Sequence, residues 1–295
     1  MSLQIKRIAT KPRQNFKLDL ADIVIEPMEC VSVVGANGSG KTTLLESVLG
    51  MAPTLQRDVW LFGQPTCMDE RDFQLRRKLG VQLQKSQFNR KLLVSDLISL
   101  HKVVYRRSCK DIAELFQLKA LLPMRYERLS RGQKQRVDLY LAFAHQPEFI
   151  LLDEPGTGLD AEFRNAFIQL LQQVIGKSAG VLMVSHQESE ILLSHRTLVL
   201  QAGKVVHFAP AAALVKQFVG THKIEFECYE SRIADEIICK ARVMDSVVRA
   251  QLTQHNKGLI FTRTNIINAL VNDFGSELFS KIALCESSVS DMIAN

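Results

Sequence analysis

One stretch constrains this chain more than any other: Gly35-Ala36-Asn37-Gly38-Ser39-Gly40-Lys41-Thr42. It follows Cys30–Val34, a compact apolar run that reads as a strand. It precedes Thr42–Leu49, which reads as a helix. Glycines let the backbone wrap a phosphate closely, with several N–H groups turned inward. The helix behind them adds the positive end of its dipole. Lys41 supplies a point charge for β- and γ-phosphates and Thr42 a hydroxyl for Mg²⁺, as the pattern GxxxxGK[ST] requires. Strand, glycine loop and helix together open an α/β unit.

A second segment fits the first. Phe149-Ile150-Leu151-Leu152 is a continuous apolar run after Pro147, and it ends in Asp153 and Glu154. A buried parallel strand delivers side chains to its carboxyl end in this way. Asp153 is expected to hold Mg²⁺, through water, and Glu154 to orient or deprotonate an attacking water. Val181–Val184 repeats the pattern and ends at Ser185-His186. Taken alone, His186 reads as an ordinary core histidine.

The remaining composition excludes other classes. Hydrophobic residues make up 46% and charged residues 23% of the 295, which is ordinary globular usage rather than a disordered or fibrous chain. No apolar run approaches the roughly 18–20 residues of a membrane-spanning helix. The first twenty residues lack the apolar core of a secretory signal. Six scattered cysteines form no CxxC pair and no zinc-like cluster, so they are expected to be reduced and buried. From Leu55 to Arg136 there are 18 Lys/Arg against 8 Asp/Glu, in a chain whose net charge is +6. A basic middle suits an anionic ligand or an anionic membrane surface, and without interleaved aromatics it does not call for nucleic acid.

The segment Leu129-Ser130-Arg131-Gly132-Gln133-Lys134-Gln135-Arg136, just before the acidic strand, resembles the LSGGQ signature of ABC-type ATPases. The resemblance spans nearly all of residues 1–210. Gln84 matches the family's Q-loop glutamine, Gly158-Leu159-Asp160 its D-loop and Ser185-His186 its switch histidine. It implies an α/β fold: a P-loop ABC-type nucleotide-binding domain with a RecA-like core, a helical subdomain and an N-terminal β-subdomain. It further implies ATP and Mg²⁺ as cofactors and a head-to-tail dimer closing on two ATP molecules. The nucleotide set is then Gly35, Asn37, Gly38, Ser39, Gly40, Lys41, Thr42 and Thr43. Ser130, Gly132, Gln133 and Asp160 join it, with the signature acting across the dimer. Glu154 is the implied general base, His186 the residue that aligns γ-phosphate and water, and Gln84 a contact to Mg²⁺ and water. The metal set is Thr42, Gln84 and Asp153.

The chain departs from the family pattern at three points. Arg131 replaces the first signature glycine: pointing away from the nucleotide it loses nothing, and pointing inward it adds charge at the trans phosphate. Gly156 stands where Thr or Ser is commoner, which is expected to loosen the D-loop. The adenine-stacking aromatic is not evident; Phe16 is the nearby candidate, with a place in the core as the other reading.

The domains are expected at 1–215 for the ATP-binding domain and 220–295 for a small α+β accessory module. In that module Ile224–Cys228 reads as a strand, Asn256-Lys257-Gly258 as a turn, Thr264 as the cap of a helix to Phe274, and Phe279–Leu284 as a last strand. Leu92–Ile98 resembles the LTVxENL segment of transporter ATPases, and Cys285–Ile293 the PSLEDVF ending of drug- and antibiotic-exporter ATPases. The resemblance thus implies an ATP-hydrolysing subunit, homodimeric or heterodimeric, that powers export of a small molecule or peptide through a separate polytopic membrane permease. It would sit in the cytoplasm, peripheral on the inner face of the membrane, with no nucleic acid partner. The alternative is a soluble, non-transport ABC ATPase.

Overall fold

Two neighbouring strands show how the apolar runs are used. Along Phe149–Asp153, Phe149 and Leu151 face one core while Ile150 and Leu152 face another. Along Gly180–Val184 the same alternation holds, with Leu182 and Val184 on one side and Val181 and Met183 on the other. Both faces of this sheet are covered, so a period-two pattern of burial appears in sequence as an unbroken hydrophobic run.

The computed structural model describes residues 2–12, 16–67, 72–84, 91–177, 179–288 and 291. They divide into two units, Met1–Phe208 and Ala209–Asn295. The break lies upstream of the expected end at 215.

The first unit runs β1 (Leu3–Thr10), β2 (Asp19–Ile25), β3 (Cys30–Val34), α1 (Lys41–Val48), β4 (Thr54–Leu61), β5 (Gln64–Pro65), α2 (Phe73–Arg76), β6 (Leu79–Gln82), α3 (Val94–Tyr105), α4 (Lys110–Leu115), α5 (Arg131–Phe143), β7 (Phe149–Asp153), α6 (Ala161–Lys177), β8 (Gly180–Val184), α7 (Glu188–Ile191), β9 (Arg196–Gln201) and β10 (Lys204–Ala209). The central sheet has the order β10-β9-β3-β8-β7-β6. β9, β3, β8, β7 and β6 are parallel, and β9 and β10 form a hairpin through Ala202 and Gly203, both at positive φ. A separate sheet, β2-β1-β4-β5, is antiparallel. It shares a core with α1 and one face of the central sheet, built on Leu3, Ile5, Leu44, Leu45, Val59 and Leu151. α3, α5 and α6 contribute to the core on the other face, with Phe143 and Phe167 edge to face at 6.3 Å.

The second unit runs α8 (Ala211–Phe218), β11 (His222–Cys228), α9 (Ser231–Arg242), β12 (Val247–Gln254), β13 (Lys257–Thr262), α10 (Ile267–Phe274) and β14 (Phe279–Glu286). After α8 the order is β-α-β-β-α-β, and the sheet order is β12-β13-β11-β14 with every pairing antiparallel. That is the split-βαβ, ferredoxin-like arrangement. Ile224, Phe226 and Cys228 alternate inward from β11 to meet Ala234, Ile237, Ile238 and Ala241 of α9. Thr264 does not cap α10. Its amide bonds Thr262 Oγ1, and Asn265 Oδ1 accepts from Ile267 N at 3.0 Å.

Cysteine burial is mixed, contrary to expectation: Cys30 and Cys228 are buried, whereas Cys67, Cys239 and Cys285 are exposed, and all six are free. Among the described residues no helix is long and apolar enough to cross a membrane. Part of the Cys285–Ile293 resemblance, at 289, 290, 292 and 293, lies outside the described residues.

Candidate functional site

The parallel order β3-β8-β7 assembles the site. These three strands lie side by side. Their carboxyl ends release, in turn, the glycine loop, Ser185-His186 and Asp153-Glu154. Crevices at the carboxyl ends of such sheets are where α/β proteins bind ligands.

The glycine loop enters α1 through Gly40, at φ 107 and without a side-chain cap. A left-handed conformation favours glycine here, and a β-carbon would also come within 2.6 Å of the Phe16 ring. The amides of the first turn therefore stay free of a capping side chain, as an anion site at a helix N-terminus requires. Lys41 Nζ donates to Gly35 O at 2.7 Å and to Ala36 O at 3.1 Å. Burial holds this ammonium below its ordinary range, while Glu154 and Asp153 pull it back up. Phe16 is partly buried against the core and also lines a recess with Thr43, Thr10 and Glu46.

Thr42 Oγ1 donates to Asp153 Oδ2 at 2.9 Å. Asp153 is buried, and among the described residues its Oδ1 has no hydrogen-bond partner. Burial raises its carboxyl above the usual range, partly offset by the Thr42 hydroxyl. One hydroxyl, one carboxylate and a neighbouring phosphate cradle fit Mg²⁺, which binds through one or two carboxylates together with substrate phosphates. No cluster of three or more metal-ligating side chains exists among the described residues, so an all-protein cage is not what this site offers.

Glu154 sits at φ 51, with its amide on Val184 O at 2.9 Å. A non-glycine residue in this region is strained by about 1–2 kcal/mol and persists only where its surroundings fix it. Its Oε1 lies 3.5 Å from His186 Nε2. Burial and Lys41 lower the His186 imidazole, against Glu154, which favours a neutral ring. Gln84 is exposed and lines a cavity of about 380 Å³ with Gln82, Tyr126, Arg131, Gln135, Asp153, Glu154 and Thr157.

The signature residues are placed differently. Ser130 is the N-cap of α5. Its Oγ accepts from Gln133 N at 3.2 Å, and Gln133 Oε1 accepts from Ser130 N at 3.0 Å. This capping box explains why Gln follows Ser at that spacing. Gly132 packs against Gly158 of the turn after Glu154. Asp160 caps α6 through Phe163 N at 3.0 Å. Arg131 points inward, lying over Gly158 and lining the same cavity as Glu154.

Four positions were not anticipated. Gln82 exchanges two hydrogen bonds of 3.2 Å with the Asp153 backbone, fixing the last residue of β7 from β6. An amide inside an apolar strand was its only sequence signal. Gln135 Nε2 donates to Pro155 O at 2.6 Å, and Arg164 to Leu159 O at 3.2 Å. Glu190 is buried behind His186. Nothing in spacing marks these last three. The turn after Glu154, expected to be loosened by Gly156, is instead held by hydrogen bonds from both sides.

A glycine loop with its lysine, a hydroxyl–aspartate pair and a glutamate beside a histidine define a P-loop nucleoside-triphosphate site. Comparison with known proteins agrees. The family described as ABC transporter matches residues 18–157. The probable sulfate/thiosulfate import ATP-binding protein CysA of Chlorella vulgaris is 30% identical over 224 residues, covering 72% of this chain and 93% of that one. The Nod factor export ATP-binding protein I of Neorhizobium galegae is 26% identical over 233 residues, covering 76% and 67%. The fold is similar, at TM-score 0.63 and 23% identity, to a dimeric post-hydrolysis state of the ATP-binding cassette MJ0796 bound to ADP and Pi, over 70% of this chain and 98% of that one. This chain belongs to the ATP-binding proteins of the ABC transporter family, which are ATP hydrolases.

Proposed function

We propose that this chain is the ATP-hydrolysing subunit that dimerises head-to-tail on ATP and powers export of a small molecule or peptide through a separate membrane permease. The observation that carries this reading is the approach of Glu154 to His186 at 3.5 Å, beside the Thr42–Asp153 pair. In it, Lys41 and the amides of 35–43 bind the phosphates, and Phe16 borders the adenine. Glu154 takes the proton of the attacking water, and the neutral His186 ring holds water and γ-phosphate in line. Thr42 and Asp153, with Gln84 at the cavity wall, would hold Mg²⁺, which supplies charge neutralisation at the β- and γ-oxygens.

Dimerisation completes the site, because Ser130, Gly132 and Gln133 are tied into the start of α5. The helix end they form is suited to the γ-phosphate held by a second copy or a related chain. Asp160 would lie at that junction. The chain would sit at the cytoplasmic face of the membrane through its permease. Export is supported by the name of the Neorhizobium relative and by the Cys285–Ile293 resemblance.

The test is affinity capture from mildly solubilised membranes with Glu154→Gln and ATP. Co-purification of a polytopic protein supports the transporter reading. Ribosomes or cytosolic scaffolds without a membrane protein would point to the soluble ABC ATPase instead. ATP-driven uptake of the cargo into inside-out vesicles then checks the direction.

A further inference from the structure

Behind His186 lies a carboxyl that this mechanism does not use. Glu190, in α7, is fully buried. Its Oε2 accepts from Ser185 Oγ at 2.5 Å, and that hydroxyl accepts from Gln187 N at 2.9 Å. The carboxyl is thus bonded to a hydroxyl that braces both sides of His186. Its Oε1 lies against Gly156, where a β-carbon would sit 2.0 Å away. Any side chain at 156 would have to displace Glu190. Gly156 in turn belongs to the turn that leaves Glu154.

We propose that Glu190 is a positioning residue for hydrolysis: it clamps the turn after Glu154 to the turn that carries His186, and Gly156 is the socket that admits it. The inference rests on the hydrolytic roles given above to Glu154 and His186. These two groups reach the site from different strands, Glu154 one residue beyond the end of β7 and His186 two beyond the end of β8. A displacement of about 1 Å between reacting groups can cost on the order of 100-fold in rate. Glu154 also holds a left-handed backbone that needs external support. The loss of the commoner Thr or Ser at 156 therefore tightens the turn, because a carboxyl takes the vacated volume.

The clamp has a titratable element. Burial pushes the Glu190 carboxyl up to about 7, and Glu154 adds to the rise. The Ser185 hydroxyl, the Arg164 guanidinium and the Gly156 backbone hold it down. Around neutrality it passes between neutral and ionised forms, and Glu190→Gln would fix the neutral shape.

The experiment compares ATP turnover by the full chain with MgATP for wild type, Gly156→Ala, Glu190→Ala, the double variant and Glu190→Gln. Gly156→Ala should lower kcat by about 10-fold with KM for ATP changed less than about 2-fold, since positioning acts on the chemical step. Adding Glu190→Ala should recover a several-fold part of that loss, because contacting residues are not additive. Glu190→Gln should not lower Tm, since it removes a buried ionisation that opposes folding, and it should flatten the rate profile between about pH 6 and 8. The clamp is overturned if an active wild type is matched by Gly156→Ala, or if the double variant is no faster than Gly156→Ala. It is equally overturned if the Glu190→Gln profile superimposes on wild type. Should Gly156→Ala not fold, the kcat of Glu190→Ala decides: a several-fold fall at unchanged KM supports the clamp, and a wild-type value overturns it. A wild-type chain that turns over no ATP sinks the hydrolytic reading itself, a result distinct from all of these.

Discussion

Thr42 and Asp153 are 111 residues apart in sequence, and their side chains meet at 2.9 Å. The bond joins the first turn of α1 to the end of β7. It leaves the other Asp153 oxygen buried without a partner among the described residues. A buried acceptor of this kind costs about 1–3 kcal/mol unless it is satisfied. Stability is therefore given up locally for a position from which a cation can be held.

Asp153→Asn checks that balance. Burial holds the Asp153 carboxyl above its usual range, so its ionisation at neutral pH opposes folding. The variant should raise Tm without nucleotide by about 2–4 °C for a gain of roughly 1 kcal/mol. It should weaken Mg²⁺-dependent ATP binding by about 10–100-fold. Calorimetry with and without MgATP measures both, and a fall in both quantities would contradict the balance.

Glu154→Gln separates binding from chemistry. Turnover should drop by about 100-fold or more, the usual range for a lost general base. ATP binding should persist, and light scattering should find a dimer with MgATP that wild type does not accumulate. Unchanged turnover would remove Glu154 from the base role.

Acid stability should be governed by a buried histidine pair far from the nucleotide. His101 and His145 lie 5.2 Å apart between ring centroids, with Tyr105 stacked 3.9 Å from His145. His145 Nε2 donates to Leu79 O at 2.9 Å. Burial lowers both imidazoles, His145 to about 4. The unfolded chain then binds the proton more tightly than the folded one. Stability is full above about pH 6.5 and is lost as the pH falls from there towards 4, by up to about 3 kcal/mol for His145. Tm between pH 7.5 and 5 should fall less in His145→Gln than in wild type.

Phe149→Ala tests the shared core. Phe149 is fully buried, and a β-carbon at Gly180 of the neighbouring strand would come within 2.7 Å of its ring. The truncation should cost about 3–5 kcal/mol, read as a lower midpoint in urea with little change in slope.

Sequence alone determined what local chemistry can specify. The glycine loop, Lys41 and Thr42 form one contiguous motif, and an apolar run ending in Asp153-Glu154 reads as a buried strand by itself. The signature segment was legible through its resemblance to a contiguous family motif, while the capping box at its start was found only in the structure. Ser130 and Gln133 carry that box, although their spacing says nothing of the first-turn contacts to the neighbouring loop. Part of the accessory unit was legible, since alternation such as Ile224, Phe226 and Cys228 is a local signal, whereas α9 and β12 were not read from the sequence.

Tertiary structure alone decided what depends on neighbours distant in sequence. The order β3-β8-β7 places His186 between the phosphate loop and Asp153, and no periodicity encodes strand order. The split-βαβ topology of the second unit follows from β11 pairing with β13 and β14 rather than with β12. Gln82 and Glu190 are buried and Arg164 half-buried, and their bonds to the Asp153 backbone, the Ser185 hydroxyl and Leu159 O exist only because folding brings distant segments together. Gly156 shows the difference most plainly. Read along the chain it loosens a turn. In the folded protein it is a close-packed position, because a carboxyl from 34 residues further on occupies the space a side chain would have filled.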